Sequence, residues 1–244
     1  MRLVSATIPF VLVAALASAG EDAVFLEVRN AGPRRFQHVV EHRAPLARLF
    51  PRRQPLAVRV VETDASGRPL RDAVGQFDRA SGGEAVLSLL LDGATEPGQR
   101  RWFLVEPRDE PPTAASTDLR LDETEDELLI SNQLFTAHVA RRGRGGFPDK
   151  IVMNGSGNTY PNFFYGDRLY TKEKGTLHLK DDPNSTARVA VRGPLRIVVD
   201  TTARYGPADR YASGNARAVY RYVYRAYSPV VDVTCKATRA DDYE

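Results

Sequence analysis

Residues 218–227 read Ala-Val-Tyr-Arg-Tyr-Val-Tyr-Arg-Ala-Tyr, and after Ser228-Pro229 residues 230–238 read Val-Val-Asp-Val-Thr-Cys-Lys-Ala-Thr. Side chains alternate across a strand with period two. Tyr220, Tyr222 and Tyr224 therefore share one face, with Val219, Arg221, Val223 and Arg225 on the other. The two runs form a β-hairpin turning at Ser228-Pro229. A strand apolar on both faces needs cover on both, so the tyrosines are expected to pack between sheets. The sequence ends soon afterwards at Asp241-Asp-Tyr-Glu244. The 244 residues are accordingly expected to be the front part of a longer protein or a shortened gene product. A further domain or a partner is expected at the C-terminal sheet edge.

The same pattern extends back along the chain. Short β-branched, aromatic or alternating runs occur at Val24–Val28, Leu56–Glu62, Ala85–Leu91, Arg101–Glu106, Leu128–Ser131, Leu134–Ala140, Lys150–Met153, Gly175–Lys180, Ala187–Arg192 and Leu195–Thr202. Turn formers separate them, including Asp64-Ala-Ser-Gly67, Asp92-Gly93, Gly143-Arg-Gly-Gly146 and Asn154-Gly155. No window shows a helical period, and Leu46–Phe50 is long enough for one turn only. The connections are too short for crossover helices, which makes the chain all-β and antiparallel.

Residues 107–127 break the rhythm with Pro107, Pro111, Pro112 and the acidic stretch Asp122–Glu127. They read as a linker. It divides a small β-barrel or sandwich domain at 20–106 from an antiparallel β-sandwich at 128–244, expected to be a partial supersandwich. Before both, Met1-Arg2, the apolar run Ile8–Leu16 and the small residues Ala17-Ser-Ala19 have the form of a signal peptide over 1–19. That run is short of the ~20 residues a membrane span needs. The mature chain is thus expected to be secreted or periplasmic, with no membrane span.

The formal charge is +3, and 29 of the 34 basic residues are arginine. They are mixed with acids along the chain instead of clustering among aromatics, which excludes a nucleic-acid partner. Cys235 is the sole cysteine. It cannot close an intrachain bridge, so the fold rests on its apolar core, and Cys235 is expected to be a small buried side chain.

Val28-Arg-Asn30, Val58–Gly67, Val74-Gly-Gln-Phe77 and Ala85–Leu91 resemble the small RIFT-type β-barrel that opens exo-rhamnogalacturonan lyase-like proteins. Ile130–Ala140, followed by Gly146–Gly157, is similar to the opening hairpin of a galactose-mutarotase-like β-supersandwich. The resemblance implies a secreted carbohydrate-active protein, a polysaccharide lyase-like N-terminal region acting on or binding acidic polysaccharide or oligosaccharide. The chain lacks the α-toroid or other catalytic domain such enzymes carry. A non-catalytic carbohydrate-binding or structural envelope module is the alternative.

β-Elimination next to a uronate needs a cation to quiet the carboxylate and a base to take the proton. His138, His178 and Tyr165 are the candidate catalytic residues; Arg168 and Arg141 are candidate carboxylate binders. Tyr160, Phe163 and Phe164 are candidate stacking surfaces for a sugar ring, with Tyr170 nearby. Against these stand a hydrogen-bonded, partly buried His138, a surface His178, and a loop anchored by its own aromatics. Glycoside hydrolysis would instead need two paired carboxyls, and Asp167, Asp181, Asp182, Asp200, Asp209 and Asp232 are available. His38 and His42 could share a metal only if helical, and Arg34, Arg35 and Arg43 oppose a cation there. No metal site or cofactor is assigned.

Overall fold

The computed structural model describes residues 23–110, 115–161, 167–212 and 216–238, together with the backbone of 10–13. The chain divides into two compact units, Met1–Ser116 and Thr117–Glu244. Almost every described element is a strand, and every ladder is antiparallel. Among the described residues the single α-helix, α1, is the one turn Leu46–Leu49.

In the first unit the strands are β1 (Phe10–Val13), β2 (Val24–Asn30), β3 (Arg35–Pro45), β4 (Ala57–Thr63), β5 (Pro69–Ala73), β6 (Gly75–Arg79), β7 (Glu84–Thr95) and β8 (Arg100–Arg108). They form one sheet in the order β1-β2-β8-β4-β5 and a second in the order β3-β7-β6. Alternation decides which residues are buried. Leu26, Val28, Phe103 and Val105 from the first sheet share a core with Leu87, Leu89 and Leu91 from the second. Each such burial is worth about 1.5–3 kcal/mol.

Of the expected barrel or sandwich, the first unit takes the sandwich form. β5 pairs with β4 and β6 with β7, and among the described residues no ladder joins the two sheets, so nothing closes the cylinder. The Asp64 turn forms as its residues dictate. The Asp64 carboxylate accepts from the Ser66 and Arg68 amides at 2.9 and 3.0 Å, and Gly67 takes the positive φ of +85°. His38 and His42 lie on β3, about 13 Å apart at strand rise. Helical spacing, and the shared metal it would need, does not arise.

The second unit holds β9 (Arg120–Glu123), β10 (Glu127–Ser131), β11 (Phe135–Ala140), β12 (Pro148–Met153) and β13 (Thr159–Pro161), then the hairpin β14 (Arg168–Thr171) and β15 (Gly175–His178), then β16 (Thr186–Val191), β17 (Arg196–Arg204), β18 (Arg217–Arg225) and β19 (Asp232–Ala237). The sheets run β13-β12-β11-β10-β9 and β16-β17-β18-β19. Residues 107–127 are therefore not linker throughout. Pro107 and Arg108 finish β8, and Arg120–Glu123 is a strand paired with β10.

Period two holds on both central strands. Phe135, Ala137 and Val139 are buried on β11, Tyr222 and Tyr224 are buried on β18, and Tyr220 is half-buried. The Phe135 and Tyr224 rings meet at 6.3 Å. Beneath the β14–β15 hairpin a further apolar cluster joins Phe147, Leu177, Leu179, Ala203 and Tyr205. Cys235 is exposed, contrary to expectation. It shares the core-side face with Tyr220 by register, but β19 is the edge strand and all its residues are exposed.

Candidate functional site

On β14 and β15 the apolar residues face inward: Leu169 stands opposite Leu177, which is fully buried. Alternation then turns Arg168 and Tyr170 outward, with His178 and Thr176 opposite them in register. The strand pairing thus places two predicted residues, Arg168 and His178, directly across from each other.

Asp167, just before β14, ties this hairpin to the β17–β18 region. One carboxylate oxygen accepts from the Tyr205 hydroxyl at 2.9 Å, and the other accepts from the Tyr220 hydroxyl. Burial, together with the Asp167 charge and hydrogen bond, pushes both phenols well above their ordinary value. They keep their protons and act as donors, which makes them poor bases.

A groove of about 720 Å³ opens beside this hairpin, lined by Arg168, Tyr170, Thr176, Tyr205 and Thr238 among others. Tyr170 is 64 % exposed, so its ring face is free to stack. Among the described residues Arg168 has no carboxylate partner. The buried Nδ1 of His178 likewise has no hydrogen-bond partner among them. The groove therefore combines a solvated cation, an open aromatic face and the Thr176 hydroxyl, while the Tyr205 hydroxyl is engaged by Asp167 and that of Thr238 by the Arg217 backbone.

The other predicted residues lie elsewhere. His138 is on β11, its Nδ1 2.8 Å from Glu127 Oε1, as a satisfied histidine would be. Asp149 lies close by, its carboxyl held above the usual range by burial and by the Glu127 charge, against the pull of Arg144 and His138. Arg141 donates to Glu123 at 2.5 Å, where Arg192 also binds. Tyr160 is exposed on the edge strand β13. None of these lines the groove. Phe163, Phe164 and Tyr165 lie outside the described residues.

Three of the carboxylates considered for hydrolysis serve the framework. Asp182 is buried and accepts from the Arg204 amide, the Tyr211 hydroxyl and the Asn184 amide. Asp200 binds Arg221 through both oxygens, and Asp232 binds Arg225. Among the described residues no three His, Cys, Asp or Glu side chains are placed to hold a metal.

Tyr205, Thr176 and Thr238 were not singled out by sequence reasoning, and Asp167 was only one of several carboxylates. The Leu169 and Leu177 alternation could have revealed the outward face of the hairpin. No local signal links Tyr205 or Thr238 to it.

No family model and no curated protein matches this chain. Solved structures do. A protein in the glycosyl hydrolase family 38 from Enterococcus faecalis superposes with a TM-score of 0.55 at 11% identity, over 94% of this chain and 33% of that one. An alpha-mannosidase from Enterococcus faecalis V583 gives 0.53 at 11% identity, over 91% and 31%. The chain thus spans about a third of each structure's length, and the likeness is one of β-rich fold.

Proposed function

We propose that this chain is the glycan-binding β-sandwich portion of a secreted carbohydrate-active protein, and that it takes acidic polysaccharide in the groove beside β14 and β15. One juxtaposition carries the reading: the open Arg168 guanidinium and the exposed Tyr170 ring border the same groove. A uronate carboxylate pairs with a guanidinium in bidentate geometry. A pyranose face lies on an aromatic ring while Thr176 bonds its hydroxyls. The fold shared with two glycoside hydrolase chains supports a sugar ligand over an unrelated one.

Lyase chemistry is the second reading, and one observation favours it. His178, opposite Arg168, is an imidazole placed beside the cation that would quiet a uronate. Tyr205 and Tyr220 do not suit the base role, because both hold their protons.

Retention of the purified chain on gels containing polygalacturonate or neutral polysaccharide tests both readings. Selective retention on the acidic polymer is expected. Arg168→Gln should remove the selectivity, and Tyr170→Ala should weaken binding about tenfold. Near-ultraviolet absorbance from unsaturated ends, lost in His178→Ala, would move the assignment to a lyase. Equal mobility with and without every polysaccharide would overturn the glycan reading and leave a structural module.

A further inference from the structure

We propose that Tyr205 and Tyr220 keep the groove open to anions by holding the Asp167 carboxylate away from its neighbour, Arg168. An unrestrained carboxylate one residue away is the nearest rival to any anion that a guanidinium binds. Elsewhere in this chain such near neighbours do pair: Arg68 binds Asp64, and Arg108 binds Glu106. Asp167 and Arg168 do not. Arg168 is exposed, and among the described residues it has no carboxylate partner.

The difference lies in where the two oxygens of Asp167 go. One accepts from the Tyr205 hydroxyl at 2.9 Å and the other from the Tyr220 hydroxyl. Both phenols are anchored on the β17–β18 side. Tyr205 is buried, and the Tyr220 ring meets Phe147 at 4.9 Å and stacks on Tyr222 at 6.1 Å. Burial first, and then Asp167 itself, raises both phenols above their ordinary value, so they stay donors. The backbone alone does not fix the Asp167 side chain. Asp167 lies beyond the last pair of the hairpin ladder, Arg168↔His178, and its carbonyl accepts from the Leu179 amide at a long 3.4 Å. Strand alternation therefore does not commit its carboxylate to the inward face. The hydroxyls satisfy Asp167 without cancelling its charge and leave the guanidinium unpaired at the groove. Tyr205 also lines the groove, so one of the two restraints is part of its wall. That a uronate is the anion rests on the glycan reading; that the phenols keep Arg168 unpaired does not.

The test follows Arg168 in two ways. Peptide mapping after brief treatment with phenylglyoxal, which modifies unengaged guanidinium groups, reads its reactivity with no glycan present. Retention on a polygalacturonate gel reads its availability to an anion. Tyr205→Phe combined with Tyr220→Phe should slow the modification of Arg168 about fivefold, the most that a solvent-exposed ion pair supports, and should reduce retention. Adding Asp167→Asn to that chain should restore both. A merely structural loss would deepen with the third substitution, so the restoration also shows that the double variant had not misfolded. Unchanged Arg168 reactivity in the double variant would overturn the proposal, as would a triple variant no more reactive than the double. If the reactivities follow the expected order but the unaltered chain is not retained on polygalacturonate, the restraint on Asp167 stands and the glycan reading falls. If the chain is retained and the reactivities do not move, the restraint falls and the glycan reading stands.

Discussion

All ten tyrosines lie in the unit Thr117–Glu244, whereas the sole tryptophan, Trp102, lies in Met1–Ser116. Both sandwiches hold arginine–carboxylate pairs, Arg221 on Asp200 among them, but one carboxylate in each makes a contrast. In the first, Arg101 is only 5 % exposed and grips both oxygens of Glu62 at 2.7 and 2.8 Å, while Arg71 adds a third bond at 2.8 Å. In the second, Asp167 is held by the neutral hydroxyls of Tyr205 and Tyr220. A guanidinium–carboxylate pair satisfies itself and offers a ligand little. Phenols fix a carboxylate without neutralising it, and they leave aromatic faces for other uses. That difference places the candidate groove in the second unit, and it gives each unit its own optical reporter.

The strongest way to break the comparison is Tyr224→Ala, since Tyr224 is fully buried against Phe135. The loss should be about 4 kcal/mol. Denaturant melts should show it in the tyrosine near-ultraviolet dichroism, with the Trp102 emission transition unmoved. Tyr224→Phe should instead gain about 1 kcal/mol, because the buried hydroxyl has no partner among the described residues. Next in size is Arg101→Met, which strands part of the Glu62 charge. About 3 kcal/mol should be lost, the lower end for a broken buried pair, as Arg71 remains on Glu62. This loss should appear in Trp102 emission. A variant that shifts both reporters equally would show the division to be wrong.

In one respect the two units agree. Asn30 and Asn132 are both buried, and each pins a loop through both ends of its amide. Asn30 donates to the Pro33, Thr95 and Glu96 carbonyls and accepts from the Gly32 amide. Asn132 donates to the Arg225 and Ser228 carbonyls and accepts from the Leu134 and Phe135 amides. Alanine at either position should cost about 2 kcal/mol, each seen in its own reporter. Unequal losses would show that one loop is held by other means.

Where local pattern decides the outcome, the sequence was sufficient. The alternation of β11 and β18, the one-turn helix at Leu46 and the Asp64 turn all follow from residue type and spacing. Strand partners are decided by distant chain, and there the reading failed. Nothing near β5 or β6 decides between the barrel and the sandwich that the pattern allows. Cys235 has a core-like strand sequence, yet edge position leaves it in water. Arg120–Glu123 hides as a linker because it has one apolar residue, Leu121, and three polar ones. Arg168 and His178 were both named, but their opposition depends on a hairpin register. Tyr205 reaches Asp167 from 38 residues away.

The smallest effects are those of pH, because the groups concerned are only about half-buried and solvent screens them. Burial, then Arg35 and Arg101, pushes the His38 imidazole down to about 4 from 6.5. Its neutral form is the folded one, so its contribution is present above pH 6.5 and is lost as pH falls toward 4. Burial would raise the Glu62 carboxyl, but the bonds and charges of Arg101 and Arg71 outweigh it and hold the group below its usual range. Glu62 therefore stabilises above the ordinary carboxylate value and ceases to on stronger acidification. Tyr205 and Tyr220 carry the opposite sign, since burial and Asp167 raise both above the ordinary 10.0. Their contribution is full below that value and fades as pH climbs past it. Acid should therefore weaken the unit that Trp102 reports, and alkali the unit that the tyrosines report. His38→Gln should flatten the acid limb, and Tyr205→Phe should flatten the alkaline one. If acid acted first on the tyrosine signal, the division between charge-closed and phenol-held carboxylates would not govern stability.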